Sequence, residues 1–327
     1  MKKKITVILL GIFLIIVILL SFLLGRYKVS FTDLLGVLTG KIKGTTEAIA
    51  ILNIRLPRIM IAVLVGAALS AAGASYQGVF QNPMAAPDIL GASAGAGFGA
   101  ALAIYMDFNS AGITAMAFIM SLITVFLVMF ISGHTKGEKV LGLVLAGIMI
   151  SSLFQAGTSF IKLVADPNNK LPAITYWLMG SLVGATNKEL LFIIIPISAG
   201  IVPLVLLRWR MNILTLGDDE AKSLGVNATK VRALVIICAT LITAASVSVS
   251  GMIGWVGLVI PHMMRRLVGS DYRYLMPASI LGGGAFLLLV DNFSRNLSST
   301  EIPIGILTAF IGAPFFILLI TRRSEFR

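Results

Sequence analysis

The sequence predicts an all-α integral membrane protein, a single domain of about ten transmembrane helices, and three observations carry that expectation. Hydrophobic residues make up 57% of the 327 and charged residues only 12%, whereas a soluble domain is roughly half apolar and about a quarter charged. With charge halved, a water-facing surface could not be covered. Long stretches free of Asp, Glu, Lys and Arg recur along the chain, and about twenty apolar residues suffice to cross the hydrocarbon. These stretches show no period-two alternation, which argues against an outer-membrane barrel.

The charge gaps place spans at Ile5–Gly25, Ile59–Gln77, Ile89–Met106, Gly112–Ser132, Val140–Ile161, Leu190–Leu207, Ala233–Ser250, Gly251–Val268, Tyr274–Asn292 and Pro303–Ile320. The first follows Met-Lys-Lys-Lys and lacks a small-residue cleavage site after Leu24, so it reads as a span with its N-terminus inside. Arg26–Asn53 is the longest segment before a span and carries a short amphipathic pattern at Phe31–Leu38. Leu171–Asn187 contains Pro172, Gly180 and Gly184, is too short and polar to span, and is expected to form a re-entrant or interfacial helix. The eighth span holds Gly251, Gly254, Gly257 and Pro261. At membrane depth such residues imply a broken helix shielded by other helices or lining a cavity, a transporter feature.

Ten spans put both termini in the cytoplasm. Sixteen of the 26 lysines and arginines then fall in cytoplasmic pieces, among them Lys136, Lys139, Arg322, Arg323 and Arg327, the side on which they accumulate. The formal net charge of +12 is therefore explained by the membrane rather than by nucleic acid. Arg55, Arg58 and Arg295 fall outside, where that rule does not place them, and call for another explanation. The single cysteine, Cys238, excludes an intrachain disulfide and reads as a small buried hydrophobe. His262 supplies at most one metal ligand, and no metal site is expected.

No G-x-x-x-x-G-K-[ST] phosphate loop is present. Membrane acids are confined to Asp291 and Asp88 near span ends, whereas ion-coupled carriers generally need intramembrane ionisable groups. Both absences favour a permease driven from outside its own chain. An ion-coupled carrier using Asp291 is the alternative, and a membrane scaffold a poorer third. The run Leu216-Gly217-Asp218-Asp219-Glu220-Ala221, continuing to Leu224 and Gly225, reads as a short helix with acids at its start and Gly at its end. It is either a plain loop helix or a docking element for a soluble partner, within a cytoplasmic loop at about 211–230. Gly66, Ser70, Gly73 and Gln77 share one helical stripe, suited to close packing or to a lined pathway. Asn82-Pro83 then stops the helix, and Gln77, Gln81, Asn82, Pro83 and Met84 form a candidate constriction.

Six motifs occur in order: Arg55-Leu56-Pro57-Arg58, the turn Gln77 to Pro87, Tyr176 to Ser181, Leu216 to Val226, Gly257 to His262, and Glu301 to Gly305 running on to Gly312-Ala313-Pro314-Phe315-Phe316. Together they resemble the iron-siderophore, haem and vitamin B12 permease family of ABC importers, from about Arg26 to the C-terminus. Ala86 stands where the family usually has an acid, Trp255 where Phe is common, and the Arg295-to-Glu301 distance is one residue short. The resemblance implies a ten-span, non-enzymatic subunit of a bacterial or archaeal cytoplasmic membrane. Its partners would be a second permease subunit, two cytoplasmic ATPases that use ATP and Mg, and an external substrate-binding protein; the chain itself would bind no cofactor. It likens Leu216–Gly225 to the coupling helix, the Gln-Asn-Pro turn to the inner gate, and Arg55, Arg58 and Arg295 to arginines that pair with glutamates of the binding protein. Pro57, between two of these arginines, is expected to start the second span.

Overall fold

A computed structural model describes residues 2–25, 27, 29–135, 139–298 and 300–321. Lys136, Arg322, Arg323 and Arg327 from the charge count lie outside the described residues. Within them the chain is helical throughout: α1 (Lys2–Leu23), α2 (Phe31–Leu38), α3 (Thr46–Ile49), α4 (Leu56–Val79), α5 (Ala92–Tyr105), α6 (Ser110–His134), α7 (Lys139–Val164), α8 (Lys170–Leu178), α9 (Asn187–Leu214), α10 (Asp218–Ser223), α11 (Ala228–Ser250), α12 (Val256–Val268), α13 (Tyr272–Asn296) and α14 (Ile304–Thr321).

Among the described residues, seven helices are long and apolar enough to cross a membrane. The other three expected spans occur as shorter helices. α5 has 14 residues and α12 has 13, about 20 Å each, and α14 has 18. The amphipathic α2 falls on its predicted residues, closed by a capping box from Ser30 to Asp33, and α8 supplies the short helix expected after Leu171.

The second span differs from expectation at its start. Helix begins at Thr46 and runs without a break into α4 through a π-helical turn, Ala50–Arg55. Pro57 therefore lies inside a longer helix instead of opening one. Proline has no N–H to give residue 53, and its ring crowds that carbonyl; the wider π turn directly before it provides the room.

α4 is buried almost all round, as a helix apolar on every face must be, and packs on α13, α11, α12 and α9. The stripe of small residues explains how. A Cβ on Gly66 would lie 2.2 Å from the Gly283 carbonyl oxygen of α13, and one on Gly73 1.7 Å from that of Gly257 in α12. Two helices thus cross α4 at backbone contact, and the stripe serves packing, not a lined pathway.

The predicted break is present, but it precedes α12 instead of interrupting it. α11 ends at Ser250, Gly251 takes φ +65°, and helix resumes at Val256. Three segments meet here. The Ser181 amide donates to the Ser250 carbonyl at 2.8 Å, and the Ile304 amide to the Gly180 carbonyl at 2.9 Å. A side chain at Gly251 would strike the Trp177 carbonyl at 2.2 Å. The Ser250 and Gly180 carbonyls are thereby bonded within the protein, as backbone outside a helix requires at membrane depth.

Candidate functional site

At one end of the bundle the N-terminal part of α4 meets the C-terminal ends of α1 and α13. Arg55 and Arg58 meet the sequence-distant Arg295 there, each 9% exposed or less. Their pairing was not foreseen. Arg58 donates from Nε and Nη2 to Asp291 Oδ1 at 3.0 and 2.9 Å, and from Nη1 and Nη2 to Glu301 at 3.1 and 2.7 Å. Arg295 Nε lies 3.1 Å from Asp291 Oδ2, and its Nη2 donates to Asn292 Oδ1. Among the described residues, Arg55 donates to the carbonyls of Phe22 and Tyr27.

Asp291 is fully buried and shared by two guanidiniums, whereas the Glu301 carboxylate is 25% exposed. Three guanidiniums against two carboxylates leave one positive charge over. The arginines that break the positive-inside pattern are thus neutralised largely within the chain. Asp291, the acid that the ion-coupled alternative required, is the counter-charge of this network. The spacing of Asp291 and Arg295, four residues apart on one helix, was a legible sign of that pair; nothing local announced Glu301.

Close to the same end, a cavity of about 640 Å³ lies between α5, α6, α8 and α11, lined by Thr114, Lys170, Tyr176, Trp177 and Ser250 among others. Lys170 is held there by Asp107 at 2.5 Å and the Tyr105 carbonyl at 2.7 Å.

The constriction candidates lie at the opposite end of α4 and do not act as one group. Gln77 is 3% exposed; its Oε1 accepts from Arg265 of α12 and its Nε2 reaches the Leu258 carbonyl at 3.4 Å. Gln81, with φ +48°, donates to the Leu214 carbonyl at the end of α9 at 2.9 Å. Asn82 Oδ1 accepts from the Met84 amide at 2.9 Å, forming the turn around Pro83. Gln77 and Gln81 tie helices together; Gln77 is buried, whereas Gln81, Asn82 and Met84 are exposed and Pro83 is half-buried among them.

α10 projects at this end, following Gly217 at φ +124° and closed by Gly225 at φ +74°. Ala221 is fully buried, while Leu216 and Leu224 are 59% and 60% exposed, with Asp219 and Glu220 exposed between them. The side chain of Asp218 lies outside the described residues. Leu216 and Leu224 thus flank α10 open to solvent, with exposed acids between them in sequence. Among the described residues no group of three His, Cys, Asp or Glu is placed to hold a metal ion.

The fold agrees with that of known proteins. The chain is 40% identical over 315 residues to a molybdate import system permease protein of Haemophilus influenzae, covering 95% of this chain and 94% of that one. It is 42% identical over 275 residues to a probable iron chelatin transport system permease protein of Helicobacter pylori, covering 84% and 83%. An inward-facing ABC transporter assigned to the metal-chelate type superposes with a TM-score of 0.88 at 39% identity, over 97% of this chain and 98% of that one. The model of the FecCD transport family matches residues 13–322. The chain belongs to the FecCD transport family, the transmembrane permease subunits of ABC importers.

Proposed function

We propose that this subunit conducts a metal chelate, an iron-siderophore foremost, with haem and corrinoid complexes as related cargo. Two permease chains would enclose the pathway, an external binding protein would deliver cargo at the arginine end, and two cytoplasmic ATPases would act on α10. Both termini would then be cytoplasmic. The observation that carries this reading is the position of α10. Its exposed leucines and acids sit at the end of the bundle opposite the arginines, so a soluble motor and a soluble donor could engage at once. The work of the chain is gating: closure of the ATPases displaces α10, and the bundle changes the side to which its pathway opens. Asn82, Pro83 and Met84, next to the Gln81 contact with the end of α9, would form the inner gate.

Arg55, Arg58 and Arg295 remain the docking residues of this reading, by exchange. Glu301 is the solvent-facing partner of Arg58, and a carboxylate of the binding protein would take its place in the bidentate geometry that guanidinium favours. Arg55→Glu/Arg58→Glu should weaken capture of the binding protein in nanodiscs; unchanged affinity would remove the arginines from the docking surface.

Molybdate is the second reading of the cargo. It is favoured by the relative from Haemophilus influenzae, whose similarity runs over 94% of its length, against 83% for the iron chelatin permease. ATP-dependent uptake by the reconstituted importer, with labelled ferric siderophore, haem, cobalamin and molybdate in parallel, separates them. Uptake of molybdate alone would refute the chelate reading.

A further inference from the structure

The end of the bundle that carries α10 also bears a second concave surface, at the opposite end from the arginine network. A groove of about 630 Å³ runs between the N-terminal part of α1, the C-terminal part of α9 and the start of α13. Its polar rim is cationic: Lys4 comes from α1, Arg208 from α9 and Arg273 from α13. Among the described residues none of the three lies in a salt bridge with a carboxylate. Asp271 is the nearby acid, and its carboxylate is engaged by the Asn212 amide at 2.7 Å and the Arg273 backbone N–H at 3.0 Å. Lys3 adds a fourth positive charge, its ammonium 6.0 Å from the centre of the Tyr274 ring.

Below the cations the lining turns apolar and aromatic. Trp209, 50% exposed, and Tyr274 flank the groove, the amphipathic rings that settle at headgroup level. Aliphatic strips lead away from it along the lipid-facing helices. Ile8, Ile12 and Ile15 follow Lys4 on one face of α1, and Leu206 and Val202 precede Trp209 on one face of α9, all exposed. Phosphate-sized positive groups above, ring edges at the boundary and two hydrocarbon tracks beneath reproduce the layering of one phospholipid.

We infer that this groove is a binding site for an anionic phospholipid, its phosphate held by Arg208, Arg273 and Lys4 and its acyl chains lying on α1 and α9. A free phosphate or a soluble anion would use the cations but leave the aliphatic tracks unexplained, so the occupant is a lipid. Because the groove bridges α1 and α13 to the end of α9, which leads into α10 through Thr215 and Leu216, an occupied site would brace the base of the docking element. The site itself stands on geometry and does not depend on the cargo; only its bracing role rests on the function proposed for α10.

Native mass spectrometry of the purified full-length chain, titrated with phosphatidylglycerol or with phosphatidylcholine, tests the site. Arg208→Gln/Arg273→Gln should bind phosphatidylglycerol about thirtyfold more weakly than the unaltered chain, from the usual contribution of a basic residue at an anionic membrane surface. Phosphatidylcholine, whose choline ammonium offsets the charge of its phosphate, should lose far less. Arg208→Lys/Arg273→Lys should retain most of the phosphatidylglycerol affinity. Lys41→Gln/Lys43→Gln, exposed near the other end, should behave as the unaltered chain, and monodispersity on gel filtration confirms that each variant is folded. Equal loss of both lipids, or wild-type phosphatidylglycerol affinity in Arg208→Gln/Arg273→Gln, would overturn the inference. So would competition by inorganic phosphate at the same concentration as lipid, which would identify a soluble-anion site. None of these readouts involves transport, so a failure here is distinguishable from a failure of the importer reading.

Discussion

Asp291→Asn removes one negative charge from the most enclosed point of the arginine network while keeping the shape of the side chain. Asp291 has no exposed surface and serves both Arg58, at 2.9 Å, and Arg295, at 3.1 Å. Removing one member of a buried ion pair leaves the other charge desolvated and uncompensated, at a cost of about 3–5 kcal/mol. Arg58 keeps Glu301 in the variant, but Arg295 loses its only carboxylate at salt-bridge distance among the described residues. The loss should therefore fall near the lower bound, about 3 kcal/mol. Glu301→Gln removes a charge whose carboxylate is 25% exposed, where water replaces part of the interaction, and should cost about 1–2 kcal/mol. The assay is unfolding of the detergent-solubilised chain by increasing SDS, followed by tryptophan fluorescence. Arg295→Gln in the Asp291→Asn background should recover part of the loss, since it removes the charge left without a partner. If Asp291→Asn unfolds with the unaltered chain, or costs less than Glu301→Gln, Asp291 is not the counter-charge that holds this end together.

Three further outcomes follow from the geometry. Gly73→Val should abolish the monodisperse gel-filtration peak, because its Cβ would sit 1.7 Å from a backbone oxygen that no rotamer change can move; Gly184→Val, with open space around its Cβ, should not. Leu216→Asp/Leu224→Asp should leave the melting temperature within a degree or so of the unaltered chain, since surface changes are nearly neutral; ATP-driven uptake with the partner ATPase should be lost. Burial pushes the Asp271 carboxyl up, but the Arg273 amide, Asn212 and the charges of Arg273 and Lys3 outweigh it and hold the group below its ordinary value. A depressed carboxylate stabilises the fold above its unfolded value of about 3.9 and loses that contribution as pH falls through the folded one. The melting-temperature gap between the unaltered chain and Asp271→Asn should therefore be constant from neutral pH to about pH 5 and close in more acid solution.

The hydrophobic pattern alone determined that the chain is a helical membrane bundle. Charge gaps located all the long helices, because burying a charged group in hydrocarbon is costly enough to leave a visible mark in any sequence that spans. The amphipathic α2 and the short α8 were legible for the same reason, and Gly251, Gly254 and Pro261 announced a break near α12. The break's position was not legible: it lies where three segments distant in sequence cross, the end of α8 from Trp177 to Ser181, Ser250 with Gly251, and Ile304. Pro57 misled for a related reason, since a proline opens a helix unless the preceding turn widens, and the π turn at Ala50–Arg55 is a property of packed backbone.

The sites divide along the same line. Leu216 to Gly225 could be read as a docking helix because its signs, acids followed by a Gly stop, are local. The arginines could be picked out because they violate a charge rule. Their meaning could not, because Glu301 lies 243 positions from Arg58 in the chain and 2.7 Å from it in space, and only the folded bundle makes the two neighbours. The small-residue stripe of α4 likewise permits either a pathway or a close crossing, and the carbonyls of Gly257 and Gly283 decided for the crossing. Composition and periodicity record what each segment must avoid or bury on its own; pairing of charges and contact of backbones are properties of two segments at once, and tertiary structure alone supplies the second.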